Sequence, residues 1–582
     1  MAALLYRLGR FCFRRRWTIT ALWVALLIAV GVGGAALSGP TSNSFTIPGT
    51  QAQKAMDLME QRFPDTHAGG ATAVVVFAAP DGRTLAEPDA TAAVRQSLDQ
   101  LRRDAEVADV LDPFDAMAVS PDGRYALAQV TYKVPMGDIP KGARATLESA
   151  ASIGRSAGLT VESGGDALQE PSASGTGEVI GLAVAALVLV ITFGSVLAAG
   201  LPLVTALIGV GIGVSAITVT TGFVELSSNT SVLATMLGLA VAIDYALLIV
   251  SRHREELAAG RSPQEAAGLA VGTAGSAVVF AGLTVVIALA GLSVAGLPIL
   301  TQMGLAAAAT VALAVLIALT LLPACLGFTG QRLQPRRRAD SLDASAGHRW
   351  ARLVTRRPLT VLLTATVALA ALAIPALDLR LGMPDDGSAA PATTQRRAYD
   401  LVTKGFGSGH NGPLLVVVDT KGTGSAEGPA QRTAERLTPL SGVAAVTPAV
   451  LNQAADTALL TVIPSTAPDS TATGRLVSAI RDLPAPSGAT VSVTGRTAIN
   501  LDMSTKLGRA LAPYLALIVG LTGTVAMVPQ VSRAGCVPAG SRVFRASHAL
   551  ENAMATCTTR SAGSLSGQSA PPGDPGAEES PP

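Results

Sequence analysis

The sequence predicts an α-helical polytopic membrane protein carrying two extracytoplasmic α+β domains, each of ferredoxin-like β-α-β-β-α-β order. Three observations point there. Mean hydropathy is +0.44 and charged residues make up only 14% of the 582, the balance of a chain that lives largely in lipid. Eight apolar runs approach the roughly 20 residues that a bilayer core demands. Two long hydrophilic inserts, 38–177 and 378–510, interrupt those runs and repeat one pattern of strands and helices.

The first apolar run, 17–37, follows a basic cytoplasmic N-terminus. Small residues in GVGGAALSG (31–39) resemble a cleavage region, but the run is long for a signal peptide. The first insert follows. ATAVVVFAA (71–79) reads as a strand, 88–103 as a helix and 107–111 as a short strand. YALAQVTYKV (125–134) is a strand, 141–157 a helix and LTVESG (159–164) a strand. Five spans come next, at 178–196, 199–221, 230–250, 270–293 and 298–326, forming a bundle over 178–326. A basic linker, 327–357, leads to a seventh span at 358–377.

The second insert repeats the first. PLLVVVDT (413–420) reads as a strand and 426–437 as a helix; VAAVTPAV (443–450) and TALLTVI (457–463) contain strands. The unit closes with a helix at 468–482 and the strand ATVSVTG (489–495). An eighth span, 511–528, follows. The repeat is visible in letters as well. FRRRWTITALWVALLIAV (13–30) echoes VTRRPLTVLLTATVALAA (354–371), offset by 341 residues, which marks the first span as retained. A parallel repeat of one span, one outer domain and further spans is an architecture of transporters.

Arginines set the orientation. Arg7, Arg10, Arg14, Arg15 and Arg16 precede the first span; Arg252, Arg254 and Arg261 follow the fourth; Arg332, Arg336, Arg337, Arg338 and their neighbours fill the linker. With alternating spans all three clusters fall on the cytoplasmic side, as the positive-inside rule requires. The expected location is therefore the cell membrane, multi-pass, with a cytoplasmic N-terminus and both inserts outside.

One acid stands inside an apolar span. Asp244, followed by Tyr245, lies in LATMLGLAVAIDYALLIVSRHREEL (233–257), and no other charge occurs between Val232 and Val250. A charge at mid-membrane costs roughly 2.5–3.5 kcal/mol on insertion scales. Such groups serve proton relays in pumps and transporters, or bond structurally to a neighbouring helix. The cost argues that Asp244 lies inside the bundle of the second to sixth spans, within reach of a polar partner. No Walker A loop is present, and Cys12, Cys325, Cys536 and Cys557 show no metal-ligand or redox spacing. No enzyme activity, cofactor, metal site or nucleic-acid partner is expected.

Several stretches carry a family resemblance. They are SFTIPGTQAQKAMDLMEQRFP (44–64), GEVIGLAVAALVLVITFGSVLAAGLPLVTALIGVGIG (177–213), MLGLAVAIDYALLIVSRHREEL (236–257) and AVGTAGSAVVFAGLTVVIALAGL (270–292). In these the chain resembles the mycobacterial membrane protein large (MMPL) branch of the resistance-nodulation-division superfamily, from the N-terminus to about residue 521. The resemblance implies that Asp244 and Tyr245 form the first half of a proton relay driving export of lipids or other hydrophobic molecules. A carboxyl that is desolvated and resolvated in turn loads and releases a proton, and a tyrosine hydroxyl can donate to it. Ser276 and Thr284 are candidates to extend that hydrogen-bond chain, with ordinary helix packing as the alternative. Ala281 stands where the family often has a serine.

The chain departs from the family pattern after the eighth span, where the family continues through four more, including a second Asp-Tyr helix. Residues 529–582 are rich in Ser, Pro, Gly and Ala and read as disordered, as a shifted reading frame or an incomplete gene model would produce. With the N-terminal bundle alone, Asp244 would face lipid, a cavity or another subunit. Two functions are compatible with this. One is a proton-driven exporter whose missing helices come from a second chain or the true reading frame, with membrane lipids, protons and a hydrophobic substrate as partners. The other is a remnant, sensor or scaffold that transports nothing and binds lipid or a partner protein.

Overall fold

Small residues bring the membrane helices together. The computed structural model describes residues 1–39, 41, 46–64, 69–135, 139–168, 176–334, 350, 353–375, 385–422 and 424–527. The expected tail, 529–582, and most of the linker, 327–357, lie outside the described residues. The bundle consists of α1 (Ala2–Arg14), α2 (Arg16–Leu37), α6 (Thr176–Phe193), α7 (Val196–Thr221), α8 (Ser228–Ala258), α9 (Pro263–Ala290) and α10 (Pro298–Thr329). α10 is its axis, packed by α1, α2, α7, α8 and α9, with Leu321, Leu322 and Leu326 fully buried. Gly213 of α7 and Gly238 of α8 both close on Thr310 of α10. A methyl at Gly238 would sit 2.6 Å from that side chain, so the approach depends on glycine. Trp23 of α2 donates to Thr320 Oγ1 of α10 at 3.1 Å.

Among the described residues five helices are long and apolar enough to cross a membrane: Arg16–Leu37, Val196–Thr221, Ser228–Ala258, Pro263–Ala295 and Pro298–Leu333. Two shorter apolar helices, Val179–Phe193 and Pro358–Ala373 (α11), match the expected second and seventh spans. α11 has no buried residue along its length, so every side of it is presented to its surroundings. The expected eighth span is the distal half of one long helix that begins at Arg496, far outside the apolar run.

α1 was not expected from the sequence. Its Leu5, Gly9 and Cys12 share one buried face against α9, and Tyr6 packs on Gly268 and Gly272. Arg7, Arg10 and Arg14 stay exposed. Residues 2–14 thus brace the bundle as a helix packed along α9.

Outside the bundle lie two antiparallel sheets. The first contains β1 (Thr72–Ala78), β2 (Val107–Leu111), β3 (Tyr125–Tyr132) and β4 (Thr160–Gly164) in the order β2-β3-β1-β4. Helices α4 (Pro88–Arg102) and α5 (Lys141–Ser156) cover one face, burying Phe77, Leu98, Leu101 and Tyr132. The second contains β5 (Leu414–Asp419), β6 (Val443–Val446), β8 (Thr457–Pro464) and β9 (Thr490–Thr494) in the order β6-β8-β5-β9, and the two-residue strand β7 (Val450–Leu451) adds to β8. Helices α13 (Glu427–Leu437) and α14 (Thr471–Arg481) cover one face of it. The last helix, α15 (Arg496–Met527), follows β9 directly.

The other face of each sheet is covered by a helix from the opposite half of the chain. α3 (Gln51–Arg62), which precedes the first sheet in sequence, packs on the second, setting Ala55 and Met59 against Val417. α12 (Thr394–Phe406), which precedes the second sheet, packs on the first, setting Ala398 and Val402 against Val76. Polar contacts fasten each crossing. Arg62 of α3 reaches Asp456 at 2.9 Å and Asp419 at 3.8 Å. Arg397 of α12 reaches Glu162 of β4 at 2.7 Å, and Thr394 donates to the same carboxylate at 2.7 Å.

Candidate functional site

α8 carries the intramembrane acid. Ser227 caps it, accepting from Asn229 N–H at 3.4 Å. At the other end Glu256 is held by Arg252 and Arg261, each at 2.7 Å. Between these ends the buried face runs through Ala234, Gly238, Ala242, Tyr245 and Ile249 at steps of three or four, against α7, α9 and α10. Tyr245 is 5% exposed, and its ring packs over Gly282 of α9 beside Val315 of α10.

Asp244 does not share that face. One residue advances a helix by about 100°, which turns the carboxylate away from the packed side. Asp244 is exposed, in a row with Met236, Ala240 and Leu248, and no hydrogen bond or ion pair reaches it among the described residues. The expected burial inside the second to sixth spans is therefore corrected: the bundle takes Tyr245 and leaves Asp244 on its surface. The reason is steric. The small residues that let α8 approach its neighbours define the buried stripe, and the acid lies beside it.

Ser276 and Thr284 make no hydrogen bond to the acid among the described residues. Ser276 Oγ donates to Thr273 O at 2.6 Å, and Thr284 Oγ1 donates to Phe280 O at 2.9 Å. Each hydroxyl proton is committed to its own helix, the ordinary behaviour of such residues in an apolar helix. Among the described residues no group of His, Cys, Asp and Glu is arranged to hold a metal.

A second feature had no signal in the reading of spans. A cavity of about 660 Å³ lies where the second sheet domain meets the bundle, lined by Pro48, Thr50, Arg481, Asp502, Lys506 and Arg509 among others. It joins the start of α3, the end of α14 and the first turns of α15. Asp502 accepts from Arg481 at 2.6 and 3.0 Å and from Ala52 N–H at 3.1 Å. Lys506 donates to Pro48 O at 2.8 Å. These residues are 450 positions apart, and the exchange of α3 is what brings them together.

Known membrane proteins are similar to this chain in sequence. The family model described as "MMPL family" matches residues 44–361. Membrane protein YdfJ of Bacillus subtilis is 37% identical over 548 residues, covering 92% of this chain and 75% of that protein. Putative membrane protein SCO6666 of Streptomyces coelicolor is 33% identical, covering 89% and 72%. The mycolic acid-containing lipids exporter MmpL11 of Mycolicibacterium smegmatis is 30% identical, covering 90% of this chain and 57% of its own length.

Proposed function

The chain belongs to the MMPL family of membrane proteins, and from that premise we propose that it is a proton-driven exporter of lipids or other hydrophobic compounds. The observation that carries this reading is Asp244, a lone acid in an apolar span, presented on the open face of α8 with Tyr245 anchored beside it. Its relative MmpL11 exports mycolic acid-containing lipids, which supports a lipidic cargo. Asp244 is the proton carrier and Tyr245 its positioning neighbour. A carboxyl cycles only when its surroundings alternate between water and hydrocarbon. The open face of α8 therefore works against further helices, supplied by a second chain or by sequence continuous with this one.

On the same reading the two outer units are ferredoxin-like domains, supported by their shared strand order. The N-terminus is cytoplasmic in the cell membrane, supported by the arginine clusters.

Asp244→Asn keeps the size of the side chain and removes its titration. In an assembly that exports substrate on a pH gradient, the variant should insert and fold normally and lose gradient-driven export, a drop of about a hundredfold or more for loss of an essential proton-transfer group. Export at the wild-type rate would sink the relay, whereas no export with Asp244 intact would favour a membrane scaffold that transports nothing.

A further inference from the structure

We propose that the cavity between α3, α14 and α15 binds the acidic headgroup of a lipid or fatty acid whose chain lies along α15. The site stands on its own geometry; that its occupant is the cargo rests on the exporter reading.

Charge is the first argument. The lining carries three cations, Arg481, Lys506 and Arg509, and one carboxylate, Asp502. Arg481 and Asp502 neutralise each other through two hydrogen bonds. Lys506 and Arg509 remain without an acidic partner among the described residues. Lys506 spends one of its three N–H groups on Pro48 O. Arg509 is exposed at the rim and offers a planar fork suited to phosphate or carboxylate. The α3 N-terminus, at Thr50 and Gln51, adds its positive end to the same wall. No aromatic ring lines the cavity, so a neutral sugar would find no stacking platform there.

Position is the second argument. Tyr514 of α15 donates to Ala288 O of α9 at 3.3 Å, and Leu517 packs beside Gly291. Lys506 lies next to Gly296, in the turn between α9 and α10. These contacts hold the cavity at the end of the bundle that faces the sheet domains. Below it, Pro513, Ala516 and Gly520 continue the helical row of Thr505 and Arg509, and all are exposed. Leu511, Leu515 and Val519 are exposed on the adjoining face. At a rise of 1.5 Å per residue, Lys506 and Pro513 are separated by about 10 Å along the helix axis. A cationic pocket thus opens onto an apolar track that enters the membrane within two turns, which fits a molecule with an anionic head and a hydrocarbon tail.

The test uses the full chain purified in neutral detergent. Native mass spectrometry would compare retention of phosphatidylglycerol with phosphatidylcholine of the same chains, with inorganic phosphate as competitor. Phosphatidylglycerol should be retained preferentially. Lys506→Gln with Arg509→Gln should weaken its retention on the order of tenfold and leave phosphatidylcholine unchanged, whereas Lys506→Arg with Arg509→Lys should keep the preference. Equal retention of phosphatidylglycerol by the wild type and the glutamine variant would overturn the site. Displacement by millimolar-range phosphate would overturn a lipid occupant in favour of a free anion. If the glutamine variant fails to fold, a diazirine-bearing fatty acid on the wild type decides: cross-links should map to α15 near Pro513 and Gly520, and their absence there would count against the proposal. A chain that binds phosphatidylglycerol yet shows no gradient-driven export would keep the site and remove the exporter reading.

Discussion

Asp386 shows how a single side chain joins the two halves of the chain. Its carboxylate accepts from Gly165 N–H at 2.6 Å, at the end of β4. Burial raises its pKa above the ordinary carboxylate range, opposed by that hydrogen bond and by the charge of Arg496. The folded chain then holds this proton more tightly than the unfolded one. The stability it contributes is complete below the unfolded pKa and is lost as pH rises through the folded value. Asp386→Asn keeps an oxygen acceptor for Gly165 and removes the titration. Thermal unfolding followed from acid to neutral pH should show the variant gaining on the wild type as pH rises; parallel curves would contradict this. Asp244 teaches the complementary lesson. A lone acid in an apolar run was legible from the letters, because its insertion cost is a property of composition. Which way it points was not, because one residue of helical phase separates it from Tyr245.

At the scale of elements, the exchange of α3 and α12 is the main finding. Both helices begin at a threonine cap: Thr50 accepts from Gln53 N–H at 3.3 Å and Thr393 from Arg396 N–H at 3.4 Å. Their sequences, TQAQKAMDLMEQRF (50–63) and TTQRRAYDLVTKGF (393–406), align without a gap. The buried pairs Ala55 with Ala398 and Met59 with Val402 fall in register. That signal was present in the letters. A second lay in the strands, since TAVVVFA and LLVVVD are nearly continuous apolar runs, the mark of a strand buried on both faces. The exchange predicts where damage appears. Met59→Asp should speed hydrogen exchange in β5 and β8 and spare β1, although Met59 lies within the first insert. Val402→Asp should do the reverse, exposing β1 and β3. If each variant disturbs the sheet of its own insert, the exchange is refuted.

At the scale of the whole molecule, the second sheet and the bundle are joined through α15, which follows β9 directly and packs on α9 through Tyr514. Orientation is the property to test here. Asp81, whose side chain is 97% exposed, and the exposed Glu435 sit on the two outer units. Cysteines placed there should react with an impermeant maleimide in intact cells. Protection of both would reverse the topology. Strands 71–79 and 413–420 would make poor label sites, because most of their residues are buried.

Legible in the letters were the apolar helices, the order of strands and helices in both inserts, and the lone acid in an apolar helix. Those properties depend on local periodicity, length and composition. It did not reveal α1 as a packed helix, because a short basic amphipathic stretch resembles an orientation signal until a partner buries its apolar face. It did not place Ala52 beside Asp502, or Arg481 beside Lys506 and Pro48, because helix exchange is a choice among long-range contacts that letters leave open. Tertiary packing made those choices. Each sheet had a second apolar face to bury, and the helix of the right shape was the one delivered by the other half of the chain.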